Sequence, residues 1–150
     1  ILIIMILFLG CKQQKIHNKI SKSIDFEWAL IKFLHYDQEK QDEINIKDSL
    51  NLYSTGFEKN NHMWFLKRGH KKNIESKFIS ADYIIFKEKD TLKLKISSSE
   101  DKRFNAIYDM HLDTIDETRR YHHIILTLDS ENVFIAAQKM KSKPSDYYKK

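Results

Sequence analysis

Asp109, His111 and Asp113 stand two residues apart in a stretch that alternates polar with apolar side chains. On a β-strand that spacing puts all three on one face. An imidazole between two carboxylates could hold a divalent metal or serve as an acid/base group, the equipment of a small metal-assisted hydrolase. His122 and His123 follow in the next alternating stretch, one on each face, so a hairpin would bring one of them toward the trio. The same pattern also describes an ordinary solvated strand face, because Phe104, Ala106, Tyr108, Met110 and Leu112 fill the opposite one. A second candidate set is aromatic. Trp64, Tyr83 and Phe86 could line an apolar ligand groove, or could simply be core. The run Lys67-Arg68-Gly69-His70-Lys71-Lys72 is dense in basic charge and reads as a solvated loop.

Other chemistries lack their residues. Three glycines leave little material for a phosphate-cradling loop. No G-x-S-x-G elbow, H-E-x-x-H or C-x-x-C spacing occurs. The single cysteine, Cys11, cannot form an intrachain disulfide. No motif implies a cofactor. The formal net charge of +5 raises the question of nucleic acid, and its distribution answers it. Residues 12–22 carry +4 and residues 143–150 carry +2, which leaves −1 for residues 23–142. A nucleic-acid-binding domain concentrates basic charge on a folded face, so no nucleic-acid partner is expected.

The elements that would position these residues read as follows. Ile24, Trp28, Ile31 and Leu34 at helical spacing predict a helix over 24–40, with Ser23 as its cap. Leu50, Tyr53 and Phe57 predict a second over 47–58, weakened by Gly56. From residue 62 the period changes to two. Strands are predicted at 62–67, 83–86, 91–96, 104–113, 122–128 and 133–137. Short links make neighbouring strands antiparallel. The expected fold is α+β: one or two N-terminal helices packed on a curved antiparallel sheet of five to six strands. In element order alone this resembles the cystatin and NTF2-like rolls.

The chain opens with nine apolar residues, Ile1 to Leu9, then Gly10 and Cys11. The run is too short to span a bilayer as a helix and fits the apolar core of a secretory signal peptide. Phe8-Leu9-Gly10-Cys11 resembles the lipobox of bacterial lipoproteins, with Phe8 where Leu is usual. The resemblance covers residues 1–12. It implies that a basic start precedes Ile1, that cleavage falls before Cys11, and that the Cys11 thiol carries lipid, held in a membrane by two or more acyl chains. Lys12 in place of Asp, and Gln13-Gln14-Lys15 without acids, imply the outer membrane with the domain facing the periplasm. The layout expected is a signal remnant at 1–10, a lipidated cysteine and basic tether at 11–22, a single domain at 23–142 and a disordered tail at 143–150. The function expected is that of a membrane-anchored envelope lipoprotein whose domain binds a protein or small ligand without catalysis. The alternative is the metal-assisted hydrolase built on Asp109, His111 and Asp113.

Overall fold

A computed structural model describes residues 14–68, 78–115 and 121–142. Helix α1 covers residues 14–24. Then come β1 (Phe26–Asp37), β2 (Asp42–Asn45), the single turn α2 (Ile46–Ser49), β3 (Leu52–Phe57), β4 (His62–Lys67), β5 (Phe78–Glu88) and β6 (Thr91–Ser97). A 3-10 turn at Lys102–Phe104 leads to β7 (Ala106–Ile115), β8 (Tyr121–Asp129) and β9 (Val133–Ser142). From β3 to β9 each strand pairs antiparallel with the next, and β1 pairs with both β3 and β9. Eight strands therefore close into an up-and-down barrel with β2 as a ninth, extra strand. Leu34 and His35 pair with β9 on one edge of β1 and with β2 on the other, so β2 and β3 share an edge. α2 interrupts that return path, with Asn45 capping it by accepting from the Asp48 amide.

The expected α+β roll is thus corrected to a closed β-barrel, and the expected helix over 24–40 is strand β1. The physical reason lies in a bulge. Trp28 and Leu30 point inward, the register shifts between Leu30 and Lys32, and the next inward residue is Phe33. A two-residue period broken by one extra residue yields spacings of two and three that imitate a helical stripe. The helix expected over 47–58 shrinks to α2, and Leu52–Phe57 is strand, with a second irregularity between Leu52 and Ser54. The expected strands at 62–67, 83–86, 91–96, 122–128 and 133–137 all fall within strands, and most of 104–113 lies in β7. Helix α1 occupies most of the stretch expected to be a plain tether.

An eight-strand barrel is only just wide enough to be filled by side chains. Here large side chains fill it: Trp28, Phe33, Phe65, Tyr83, Tyr108 and Phe104 are all essentially inaccessible. The lower end is taken as the end where β1 begins. At the upper end Phe104, presented by the 3-10 turn, stacks on Phe33 and Phe65 with centroids 4.6 and 4.8 Å away. Tyr108 donates its hydroxyl to the Phe104 carbonyl at 2.7 Å and holds the turn in place. At the lower end α1 lies across the mouth. Ile20 and Ile24 pack toward the core, while Lys15, Lys19 and Lys22, spaced four and three apart, form its exposed face.

Candidate functional site

Asp109, His111 and Asp113 do share one face of β7, the outer wall of the barrel. The register sets Asp129 and Lys93 beside Asp109, Thr127 beside His111 and Ile125 beside Asp113. Asp109 is bound by the Lys93 ammonium at 2.5 Å, and that hydrogen bond holds the lysine pKa above its usual value. His123 faces Ile115, beyond the trio. Among the described residues no three His, Cys, Asp or Glu side chains gather as a metal site. Strand spacing delivers the shared face, but a pleated strand spreads residues i, i+2 and i+4 along a line, so the three cannot converge on one ion unaided.

The aromatic candidates are divided by the wall. Tyr83 is interior and 1% exposed. Its ring meets Phe57 edge-on at 5.2 Å, and its hydroxyl donates to the Glu58 carbonyl at 3.0 Å. Burial first, then the charges of Asp25 and Glu58, push its pKa up to about 12. Trp64 lies outside. It pairs across the sheet with Gly56, and a Cβ at Gly56 would overlap its indole ring. The missing side chain is what lets the indole lie against the wall. Phe86 is also on the outer wall, six residues along β5 from Ser80, the partner of Trp64. Trp64 and Phe86 are therefore not gathered with Tyr83 into one groove.

Phe78 on β5 and Tyr53 on β3 flank β4 on either side as an aromatic strip, of which Phe78 touches Trp64. Phe78 is 51% exposed and meets Trp64 edge-on at 5.4 Å. Tyr53 is 54% exposed with the Arg68 guanidinium 5.6 Å above its ring. Beside Trp64 a groove of about 520 Å³ is lined by Asp25, Glu27, Glu58 and Lys59 among others. Phe57 and Trp64 give it a mainly apolar surface, with three carboxylates and one ammonium at its edge. The signal for this strip was present in the sequence as Gly56 and Trp64, but their pairing across β3 and β4 depends on a register that only the fold supplies.

The lower mouth holds a second constellation. His17 of α1 accepts the Ile85 amide at Nδ1 (3.1 Å), so its Nε2 carries the hydrogen that is donated to Asn61 Oδ1 at 2.7 Å. These contacts fix α1 on the β4–β5 side. On the β9 side Lys139 points into the barrel. Its ammonium donates to the carbonyls of Ser23 and Asp25, both at 3.1 Å, and lies 4.6 Å above the Trp28 ring. Trp28 in turn donates Nε1–H to the Ile24 carbonyl at 2.8 Å. Burial and the neighbouring Lys141 lower the Lys139 pKa, opposed by Asp25. Cys11, residues 69–72 of the basic run, residues 1–10 and the tail 143–150 lie outside the described residues, and no helix among the described residues is long and apolar enough to cross a membrane. No family model, curated protein or solved structure matches the chain, so its site is read from its own geometry.

Proposed function

We propose that this chain is a lipid-anchored protein of the bacterial envelope whose barrel recognises a basic segment of a partner protein through the outer face around Trp64. The observation that carries the recognition half is the Trp64 indole laid over Gly56, between exposed Phe78 and a groove edged by carboxylates. Tryptophan is among the residues that dominate the energetics of protein interfaces, and Trp64 is held on a rigid strand. The carboxylates of Asp25, Glu27 and Glu58 select a cationic side chain, which the indole face also favours.

The anchoring half rests on the Phe8-Leu9-Gly10-Cys11 step. Three peptide units separate Cys11 from Gln14, the start of α1, a reach of roughly 10 Å. A lipid on Cys11 would hold the lower end of the barrel against the bilayer. Lys15, Lys19 and Lys22 would then meet anionic headgroups, each adding about 1 kcal/mol. The wall carrying Trp64 and Phe78 would stand sideways to the membrane, open to a neighbour.

Two measurements test the two halves separately. Labelled palmitate should enter the membrane fraction with wild type and vanish with Cys11→Ala. A photo-crosslinking residue at position 78 should capture one partner that the same residue at Ile107, exposed on the outer wall at β7, does not. Charge reversal at Glu27 and Glu58 should abolish that product. Equal capture at both positions, or indifference to the reversal, would rule out the acidic aromatic face as the recognition surface.

A further inference from the structure

α1 covers only part of the lower mouth. It is tied to β5 through His17 at one end and to β9 through Lys139 at the other, and so crosses the opening diagonally. On the far side, toward β7, β8 and β9, the barrel interior opens into a cleft of about 730 Å³. That volume falls within the range of small-molecule sites.

The residues of this cleft follow from the strand register. Thr114 pairs with Ile124 and Ile124 with Lys139, so these three make one inward-facing row across three strands. Leu112 sits in the row above, packed with Ile124 against the core. The floor is therefore aliphatic. Among the described residues the rim is basic: Lys22 of α1, Lys139 and Lys141 line it, against one carboxylate, Glu27. A hydrocarbon floor beneath a ring of ammonium groups matches a molecule with an apolar chain and an anionic head. Lys139 already gives two hydrogen bonds to carbonyls, while Lys22 and Lys141 are exposed and turned to solvent, so they are the groups that meet the head. A neutral polar ligand would leave Lys22 and Lys141 without a counter-charge, and a purely apolar one would have to desolvate them.

We infer that the lower cleft between α1 and β7–β9 is a binding site for a single-chain amphiphile with an anionic head, carboxylate or phosphate. The chain lies on Leu112 and Ile124, and the head sits between Lys22 and Lys141. This site lies at the lower mouth of the barrel and shares only Glu27 with the groove beside Trp64, so its test leaves Glu27 unchanged. It does not depend on lipidation, so the test uses the full chain carrying Cys11→Ala.

A fluorescent long-chain carboxylate, kept below its critical micelle concentration, is titrated with the protein and displaced by unlabelled palmitate or lysophosphatidylglycerol. Saturable binding with displacement is expected, and the tighter competitor tells a free fatty acid from a membrane-derived source. Lys22→Gln with Lys141→Gln should weaken binding about tenfold, the scale of losing a charge-assisted hydrogen bond, while the corresponding long-chain alcohol should be insensitive to both changes. Thr114→Trp changes an exposed position of β7 and should block the cleft outright, with an unchanged far-UV circular dichroism spectrum as the check on folding. If Thr114→Trp binds as wild type does, the probe sits elsewhere, on the apolar first ten residues for example, and the site is refuted. Failure of both competitors to displace, or equal affinity for the alcohol and the carboxylate, refutes it as well.

Discussion

At the upper end of the barrel Phe104 reaches into the core from a turn continuous with β6 and β7, and its partners Phe33 and Phe65 are 0% exposed. At the lower end the closure is a separate helix, held by His17, by the Lys139 ammonium and by a few isoleucines. One end is sealed by dispersion and apolar burial inside a single cooperative sheet. The other is latched by polar contacts between elements. Local opening draws on the least apolar contacts, so the lower end is where motion and binding belong. Both the lysine-rimmed cleft and the lysine stripe of α1 lie at that end, while among the described residues the top carries turns, the single-turn α2 and the ion pairs Asp37–Lys40 and Asp101–Arg103.

The largest effect expected from this contrast is at the top. Phe104→Ala removes a ring packed on two others and leaves a cavity, so it should cost about 3–5 kcal/mol of global stability. Chemical denaturation would show a lower midpoint with the transition still cooperative. A loss below 1 kcal/mol would mean the upper plug is dispensable, and the contrast between the ends would fail.

Lys139→Met comes next. The methionine keeps the apolar stem over Trp28 and deletes the ammonium that serves two carbonyls. Hydrogen bonds to charged groups contribute about 1.5–3 kcal/mol, less at a partly exposed site, so a loss of about 1–2 kcal/mol is expected. Hydrogen exchange should locate it. Amides of α1 should exchange faster while those of β6 and β7 near Phe104 stay protected. Uniform acceleration would show that α1 and the barrel unfold as one unit.

How far the fold was legible follows from the same two regions. The strands from β4 onward announce themselves by strict alternation: Leu92, Leu94 and Ile96 point inward and Lys93 and Lys95 do not. β1 hid itself, because its bulge at Leu30/Lys32 converts a two-residue period into one that passes for helical. Closure was out of reach, since pairing Phe33 with Ile135 joins residues a hundred apart and leaves no local mark. α1 was hidden by its lysines. Its three isoleucines are spaced for a helix, but a stretch with four lysines and no acid reads as tether until a barrel mouth exists to receive Ile20 and Ile24. Of the candidate site residues, the shared face of Asp109, His111 and Asp113 was legible from spacing, whereas the ion pair of Asp109 with Lys93 depends on register. Trp64 stood out by type, but its seat on Gly56 could not be read without the β3–β4 pairing.

His17→Ala sharpens the lower end further. It removes two neutral hydrogen bonds at the surface, each worth about 1 kcal/mol at most, and water can replace the partner of the Ile85 amide once α1 lifts. A loss of about 1 kcal/mol is expected, confined to α1 and the β5 edge in hydrogen exchange. Combined with Lys139→Met, the effects should fall short of their sum if both ends of α1 must be held for either to matter, and exceed it if either latch alone suffices. Simple additivity would show two independent latches.

The smallest effect returns to the top. Asp101 accepts from Arg103 Nε at 2.9 Å and from a terminal guanidinium nitrogen at 2.6 Å. The Arg103 side chain, with help from its backbone amide and against the effect of burial, holds the Asp101 pKa below 3.8. A carboxylate whose folded pKa is depressed adds stability that is fully present above its unfolded value and is lost as pH falls through the folded one. Arg103→Gln should therefore cost a little at neutral pH, where the pair is partly exposed and screened, and nothing once Asp101 is protonated in both proteins. Thermal melts of the two proteins should converge as the pH is lowered from 3.8, and high salt should shrink their difference at neutral pH. A gap that persists at low pH would assign Arg103 to packing against the turn that carries Phe104, and the upper end would then be held by shape alone.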